Sequence, residues 1–459
     1  MNSKQLHSIN PKNNTKIKSW DIPSQNKIDL IIKSVSESQL IWGKSKLNYR
    51  ISLIKELASF FKDRQKELSI LMADEMGKPI SQGELEIDKC VWLCNYYTQN
   101  AINILSDKNI ETGYYKSYVS FQPIGLVLGI MPWNFPYWQV IRFAIPALIA
   151  GNGILLKHAS NVQGCANAIE TCFLDAGFPN YIFKNLQIPS DKVDSIIENN
   201  RIAGVAITGS DKAGSAVAKK SGEYLKKTVL ELGGNDPYVI LDDADITKAV
   251  ISCVEGRLLN TGQSCISAKR LIVTKKNFEV FTQKLINILE TKIVGDPYDD
   301  VDLGPLVSGN ARNEVHNLVK ESILRGAILK MGGTIPDNKG AYYPITVLVD
   351  VQPGMPAFDD EIFGPVFSII KSENNNEAIE LANKSKFGLG ASVFTSDIKA
   401  GEKIAKKKIQ SGLCFVNDYV KSDPRLPFGG IKSSGYGREL SSYGLMEFVN
   451  IKTVVVQKS

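Results

Sequence analysis

Short apolar runs alternate with helical segments along much of this chain, and that alternation constrains the fold more than any other feature. Residues 125–131 form an apolar run that suits a buried strand, and a helix is predicted from about Tyr137. A strand at 153–157, a helix at 162–176 and a strand at 204–208 continue the pattern. Alternation of this kind is typical of a parallel α/β sheet.

A second alternating block follows Glu231. It opens with a predicted strand at 237–241 and a predicted helix at 245–260. Further strands are predicted at residues 270–274, 366–371 and 413–416. A chain of 459 residues is too long for one simple core, so the two blocks predict two or three domains.

The composition excludes several classes of function. The net charge is +6, but Lys and Arg are scattered among acids, so we expect no nucleic-acid partner. The most apolar stretch, residues 137–150, is short and contains Arg142 and Pro146. It therefore predicts a buried helix and no membrane partner. The N-terminus lacks the apolar core of a secretory signal, and we expect a cytoplasmic location.

The cysteines favour a reducing compartment. There are seven, an odd number, and their spacing gives no disulfide framework. Cys90 and Cys94 are four residues apart, on one face of a predicted helix. The chain has only three histidines to complete a metal site, so packing is the better interpretation and no metal is expected.

Two side chains beside glycines are candidates for chemistry. Glu231 precedes Gly233-Gly234, and Cys265 follows Gly262-Gln263-Ser264. A thiolate attacks carbonyl carbon well, and a carboxylate can act as a base. Neither residue is decisive alone, because a lone Cys is more often a small buried hydrophobe.

Further motifs stand in a fixed order around this pair. They are Pro132-Trp133-Asn134-Phe135-Pro136, Lys157-His158-Ala159-Ser160, Thr208-Gly209-Ser210, Glu361-Ile362-Phe363-Gly364-Pro365 and Pro427-Phe428-Gly429-Gly430. At these residues the sequence resembles the aldehyde dehydrogenase superfamily. The resemblance covers nearly the whole chain, from Ile9-Asn10-Pro11 to Val454-Val455-Val456.

The resemblance implies an α/β fold of three parts. A Rossmann-like cofactor domain would comprise residues 1–112 and 123–232, and an α/β catalytic domain residues 233–440. A small β oligomerisation element would combine residues 113–122 and 441–459, which predicts a homodimer or homotetramer.

The resemblance also implies catalytic roles. Cys265 would form a thiohemiacetal and then a thioester, while Asn134 and the backbone N–H of Cys265 would stabilise the oxyanion. Glu231 would activate water, with its pKa raised by an apolar pocket. Gly233 and Gly234 would give that segment freedom to swing. The alternatives are a packed cysteine, an Asn in a Pro-flanked turn and a surface Glu.

A nicotinamide cofactor is expected although the usual dinucleotide fingerprint is absent. Gly209 and Ser210 follow a predicted strand and precede a helix from Asp211, which suits a pyrophosphate. The positions that the resemblance adds to the cofactor site are Trp133, Lys157, Leu232, Glu361 and Phe363.

Ser160 departs from the pattern of relatives that prefer NAD. Many of those carry a Glu three residues after the lysine that Lys157 matches, and an acid there repels a 2′-phosphate. A serine removes the repulsion, so we expect NADP as cofactor, with NAD as the weaker alternative.

Arg142 suggests an acidic substrate. A buried Arg is costly unless it meets an anion, which is either the far-end carboxylate of a substrate or an internal Asp or Glu. Ser264 and Ser422 could add hydroxyl donors, and Phe135 and Trp138 would line the aldehyde channel.

The amino-acid sequences of two segments resemble one group within the superfamily. Residues 157–161 and 423–430 resemble the bacterial succinate-semialdehyde dehydrogenases, which implies oxidation of a small aldehyde with a distal carboxylate. The alternatives are a dehydrogenase of another small aldehyde and a non-catalytic protein that retains the fold. The second alternative predicts loss of Cys265, Glu231 or Asn134, and all three are present.

Overall fold

The computed structural model of the protein describes residues 5–458. Its strands are β1 (Gln5–Ile9), β2 (Lys16–Asp21), β3 (Lys108–Asn109), β4 (Lys116–Pro123), β5 (Leu126–Met131), β6 (Gly153–His158), β7 (Phe183–Asn185), β8 (Ile202–Thr208), β9 (Lys227–Glu231), β10 (Pro237–Ile240), β11 (Arg270–Thr274), β12 (Ile328–Met331), β13 (Thr346–Val349), β14 (Val366–Ser372), β15 (Phe387–Gly388), β16 (Ser392–Phe394), β17 (Phe415–Val416), β18 (Ile431–Lys432), β19 (Gly435–Tyr436) and β20 (Val449–Val456).

The α-helices are α1 (Gln25–Trp42), α2 (Leu47–Asp63), α3 (Gln65–Met76), α4 (Ile80–Leu105), α5 (Trp138–Ala150), α6 (Gln163–Asp175), α7 (Val193–Glu198), α8 (Asp211–Glu223), α9 (Ile246–Leu258), α10 (Phe278–Leu289), α11 (Gly309–Leu324), α12 (Pro356–Asp359), α13 (Asn375–Asn383), α14 (Ile398–Lys407) and α15 (Ser441–Met446). The segments Ser190–Lys192 and Leu259–Gly262 form 3₁₀ turns.

The first sheet contains the strands of the first alternating block. Its order is β19-β9-β8-β5-β6-β7, and every pair is parallel except β19 with β9. Alternate residues of β5 face opposite cores: Leu126 and Leu128 pack on one side, Val127 and Met131 on the other. A strand buried on both faces is expected to be apolar at successive positions, which is the pattern of residues 125–131.

The second sheet contains the strands of the second block. Its order is β12-β13-β14-β11-β10-β16-β17, with all pairs parallel except β12 with β13. Strand β11 matches its predicted bounds. The predicted helix at 245–260 ends earlier, at Leu258, because the chain then enters the 3₁₀ turn. The predicted strand at 413–416 is shortened to Phe415–Val416.

A third, antiparallel sheet is built from distant parts of the chain. Its order is β20-β4-β3, and the whole of β20 pairs with β4, from Val449 opposite Pro123 to Val456 opposite Lys116. Strand β19 extends the first sheet, although it lies in the segment predicted as the catalytic domain. The three-part division of the chain stays a prediction.

Helix α5 is the apolar stretch of the sequence, and every residue of it is buried. It ends at Gly151, whose φ of 100° provides the left-handed C-cap that glycine adopts readily. Within residues 5–458 we find no helix that is both long enough and apolar enough to span a membrane.

Candidate active site

The predicted functional residues converge at one edge of the first sheet. They follow the carboxyl ends of its parallel strands, where ligands bind in open α/β sheets. Trp133 and Asn134 follow β5, Ser160 follows β6, Gly209 and Ser210 follow β8, and Glu231 ends β9.

A buried histidine fixes the loop that carries Asn134. The His158 ring lies between two carbonyls, that of Met131 at 3.2 Å from Nδ1 and that of Pro136 at 2.9 Å from Nε2, and the Ala159 N–H donates to Nδ1 at 2.9 Å. Burial lowers the pKa of His158 to about 4, so the ring is neutral at physiological pH. The Asn134 side chain is buried, and its Nδ2 donates to the Gln263 carbonyl at 3.1 Å.

A left-handed turn leads into the nucleophile loop. Asn260 and Thr261 have φ of 55° and 56°, and Gly262 has φ of 75°. A Cβ on Gly262 would lie 2.4 Å from the Gly364 carbonyl oxygen, so only glycine fits there. Asn260 Nδ2 donates to the Asn134 carbonyl at 2.7 Å and thereby joins this loop to the first sheet. Such strained turns are typical of sites that must hold one side chain in place.

One ammonium group organises the segment around Cys265. The Lys269 Nζ donates to the carbonyls of Ser264 at 2.9 Å and Cys265 at 2.6 Å, and it pairs with Glu361 at 3.1 Å. Burial raises the pKa of the Cys265 thiol to about 12, although Lys269 and Arg142 lower it. The side chain is therefore a thiol at neutral pH, and its proton must leave before it attacks a carbonyl carbon.

The environment of Glu231 is that of a base held in an apolar site. Burial raises the pKa of its carboxyl well above the ordinary value, and the neighbouring Glu439 raises it further, while Arg142 and Arg438 lower it. Among the described residues neither carboxylate oxygen has a hydrogen-bond partner. A desolvated carboxylate without partners binds a proton more strongly than a solvated one, so it is the stronger base once it is ionised.

The glycines after Glu231 let two other segments approach the backbone closely, and the freedom to swing stays a prediction. A Cβ on Gly233 would lie 2.5 Å from Glu361 Oε2. A Cβ on Gly234 would lie 2.6 Å from the Cys265 carbonyl oxygen. Glycine is needed here because two other segments approach the backbone closely, and neither glycine has a positive φ.

Three of the positions that the resemblance adds to the cofactor site, Trp133, Glu361 and Phe363, lie close together. The rings of Trp133 and Phe363 meet edge to face, with centroids 5.8 Å apart. The Glu361 carboxylate accepts from the Gly234 N–H at 3.1 Å and pairs with Lys269, so it is fixed in place. A fixed carboxylate beside an aromatic pair fits the hydroxyls of a ribose.

Two further cofactor positions, Lys157 and Ser210, lie at the ends of β6 and β8. Lys157 is buried, its Nζ donates to Ser190 Oγ at 3.3 Å, and burial lowers its pKa to about 8. Ser210 caps α8, because its Oγ accepts from the Ala213 N–H at 3.2 Å.

Two other cofactor positions are already engaged within the protein. The Gly209 N–H donates to the Glu231 carbonyl at 3.1 Å, so it is not free for a phosphate. Leu232 is buried against α8, where a Cβ on Gly214 would lie 2.4 Å from Leu232 Cδ2. These residues shape the site through the backbone and through packing.

A pocket of about 420 Å³ opens onto the nucleophile. All five residues predicted to contact the substrate line it together with Cys265: Phe135, Trp138, Arg142, Ser264 and Ser422. Its walls are otherwise largely aromatic and aliphatic, which is usual for a small-molecule site with a few polar groups.

Arg142 makes the internal ion pair that the sequence left open as an alternative. Its guanidinium pairs with Glu439, and both side chains are buried, at 2% and 5% exposure. It also lies 4.6 Å from the centroid of the Phe428 ring, and Nη2 donates to Thr208 Oγ1 at 3.4 Å. The positive charge of Arg142 therefore has a resident counter-charge.

Several residues of the site escaped the sequence analysis. Lys269 and Asn260 act on the nucleophile loop through backbone carbonyls, and Lys89 of α4 lines the pocket. Their proximity to Cys265 along the chain was a usable signal for the first two, but nothing local marks Lys89. Within residues 5–458 no group of three His, Cys, Asp or Glu side chains is arranged to hold a metal ion.

The chain is similar to known proteins over nearly its whole length. The model of the aldehyde dehydrogenase family matches residues 1–454. The chain is 40% identical to the succinate semialdehyde dehydrogenase [NAD(P)+] Sad of Escherichia coli over 97% of each chain. It is 39% identical to succinate-semialdehyde dehydrogenase [NADP(+)] 1 of Mycobacterium tuberculosis, over 98% of this chain and 99% of that one.

The structure of succinic semialdehyde dehydrogenase from Streptococcus pyogenes, solved with NADP+ as the cofactor, superposes with a TM-score of 0.96. It is 35% identical and covers 99% of this chain and 100% of that one. Because the family model matches nearly its whole length, the chain belongs to the aldehyde dehydrogenase family.

Proposed function

We propose that the protein oxidises succinate semialdehyde to succinate and prefers NADP+ over NAD+. The observation that carries the proposal is the pocket in front of Cys265, in which hydroxyl and cationic groups stand among aromatic and aliphatic side chains. The two acids of its lining, Glu86 and Asp88, are paired with Lys78 and Lys62. The relatives named for this reaction cover nearly the whole chain and support the same substrate.

The reaction consumes one aldehyde, one water and one NADP+, and it yields one carboxylate, one NADPH and two protons. The cofactor, when bound, accepts the hydride that leaves the aldehyde carbon. The fixed carboxylate of Glu361, the Trp133–Phe363 pair and Lys157 would hold it.

Cys265 begins the chemistry by attacking the aldehyde carbon after loss of its proton. The negative charge that develops on the aldehyde oxygen is stabilised by Asn134 Nδ2 and the Cys265 backbone N–H. Removal of one such donor typically slows a reaction about a hundredfold or more. Loss of a hydride from the tetrahedral adduct leaves a thioester on Cys265.

Glu231 then removes a proton from a water molecule, and the oxygen attacks the thioester carbonyl. The carbon–sulfur bond breaks, the acid departs and Cys265 regains its thiol form. The raised pKa of Glu231 suits this proton transfer, because a base is most effective when its pKa lies near the working pH.

The preference for NADP+ rests on the charges beside the adenosine ribose. Ser160 brings no negative charge, and Lys157, three residues earlier, supplies a buried positive one. A 2′-phosphate therefore meets attraction where many relatives would repel it.

The test is an absorbance assay of nicotinamide reduction with purified enzyme. Succinate semialdehyde and butyraldehyde are compared, each with NADP+ and NAD+. We expect the highest kcat/KM with succinate semialdehyde and NADP+. Equal kcat/KM values for the two aldehydes would favour a dehydrogenase of another small aldehyde and contradict the proposed substrate.

We also propose that the protein forms a homodimer or homotetramer through the third sheet. Among the described strands, β20 pairs only with β4, so its outer edge is open. Ile451, Val455 and Val456 expose much of their side chains there. An open apolar edge is suited to pairing with another chain. Light scattering on a sizing column would contradict the proposal if it gave the mass of one chain.

A further inference from the structure

The pocket contains a second cation, Lys89. Its Nζ donates to Ser422 Oγ at 2.7 Å and lies 4.7 Å from the centroid of the Trp138 ring. Ser422, Trp138 and Lys89 line the same pocket as Cys265. The ammonium therefore lies inside the pocket.

The charge of Lys89 has no counter-charge within the protein. Among residues 5–458 no carboxylate lies within ion-pair distance of its Nζ. Glu86, one helical turn away, pairs with Lys78 and accepts from the N–H groups at the start of α5. Asp423, on the loop beside Ser422, pairs with Arg425. The neighbouring acids are thus already engaged.

Arg142 differs in this respect, because Glu439 neutralises it. Burial lowers the pKa of Lys89 to about 8, and the positive charge of Arg142 also lowers it. Cys90, Glu86 and Asp423 raise the pKa and offset part of this shift. Three cations therefore border one pocket: Arg142 pairs with Glu439 and Lys421 pairs with Asp418, which leaves Lys89 without a resident anion. An anionic ligand between Lys89 and Arg142 would relieve both desolvation and repulsion.

We propose that Lys89, with Ser422, is a further ligand of the substrate's far-end carboxylate beside Arg142 and strengthens the preference for acidic aldehydes. Because Ser422 accepts from Lys89, its own hydroxyl proton is free to donate, and the ammonium keeps two further N–H groups. This inference rests on the proposed function, since it assigns a group that helps to select that substrate.

The experiment compares Lys89→Met with wild type on succinate semialdehyde and butyraldehyde at saturating NADP+. Methionine keeps the length of the chain and removes the charge. Loss of a hydrogen bond to a charged group should lower kcat/KM for succinate semialdehyde about 10- to 100-fold, mainly through KM. The value for butyraldehyde should change less than about threefold. Equal losses on both aldehydes would overturn the inference.

A pH profile supplies a readout that a structural role would not move. The ratio of kcat/KM for the two aldehydes cancels the titration of Cys265 and Glu231, which act on both. In wild type this ratio should fall as pH rises through about 8, where free Lys89 loses its proton. Lys89→Arg should keep the ratio flat to pH 10, because a guanidinium stays charged. A ratio that falls equally in both proteins would contradict the assignment.

Two comparisons keep the outcomes separate. If wild type itself shows no preference for succinate semialdehyde, the proposed function fails and this inference fails with it. If wild type shows the preference and Lys89→Met retains it in full, only the inference fails. Lys55→Met is the matched control: Lys55 is exposed on α2 and away from the pocket lining, so its loss should leave both rates unchanged.

Discussion

The Arg142–Glu439 ion pair gives a prediction about stability. Arg142→Met would leave the Glu439 carboxylate buried without its counter-charge. Removal of one partner of a buried pair costs about 3–5 kcal/mol. Since both side chains are at most 5% exposed, the full range applies. For a domain of 150–250 residues each kcal/mol lowers the melting temperature by about 2–4 °C, so we expect a fall of about 6–20 °C.

The loss of stability in Arg142→Met should depend on pH, and the direction of that dependence can be predicted. Burial already raises the pKa of Glu439, and Arg142 partly offsets that rise. Loss of Arg142 raises the pKa further. A carboxyl whose pKa is raised on folding stabilises the protein at low pH and loses that contribution as pH rises through the folded pKa. The variant should therefore melt closer to wild type at pH 5 than at pH 8.

The assay is a double-mutant cycle followed by circular dichroism on heating, at both pH values. It uses Arg142→Met, Glu439→Leu and the two together. An apolar pair of similar volume replaces a buried ion pair at little cost, so the double variant should recover much of the loss. Additive losses in the double variant would refute the reasoning, because they would mean that the two charges do not depend on each other.

Three further outcomes concern the chemistry. Cys265→Ala should abolish turnover while NADP+ binding, measured by titration, stays nearly intact; residual turnover would contradict the covalent route. Glu231→Gln should retain an initial burst of NADPH in stopped flow but lose steady turnover, and loss of the burst would assign Glu231 to an earlier step. In wild type, turnover should fall as acid protonates Glu231. Ser160→Glu should reverse the cofactor preference by about 1–3 kcal/mol, less at high salt, in parallel titrations of both cofactors; an unmoved preference would contradict the role of Ser160.

The sequence was most informative where structure is local. The apolar run at 125–131 predicted β5 within one residue, and 270–274 predicted β11 without error. Periodicity succeeds there because both strands are buried on two faces, and each residue then carries the same apolar signal. Bounds were less accurate at 245–260, because the left-handed turn at Asn260 depends on packing against other segments.

The site was predictable in kind but not in its charge pairing. Cys265, Asn134 and Glu231 stand in motifs, and two of them lie at one edge of the first sheet, because Asn134 follows β5 and Glu231 ends β9. Lys89 meets Ser422 across 333 residues of chain, and no local pattern marks such a pair. For the same reason the sequence left two possible partners for Arg142, a substrate carboxylate or an internal acid. A sequence alone does not show which acid lies next to an arginine in the folded chain.

The Lys269 ammonium joins two parts of the site that the chemistry uses at different moments. One of its hydrogen bonds ends on the carbonyl of the nucleophile residue, and its ion pair ends on Glu361. Any movement of Glu361 when a ribose binds is thus transmitted to the backbone that carries the thiol. Coupling between binding sites is reciprocal. A reversible adduct on the Cys265 sulfur should therefore change the affinity for NADP+. Bound NADP+ should change the equilibrium constant of adduct formation by the same factor. The reactivity of the thiol would then show whether the cofactor site is occupied.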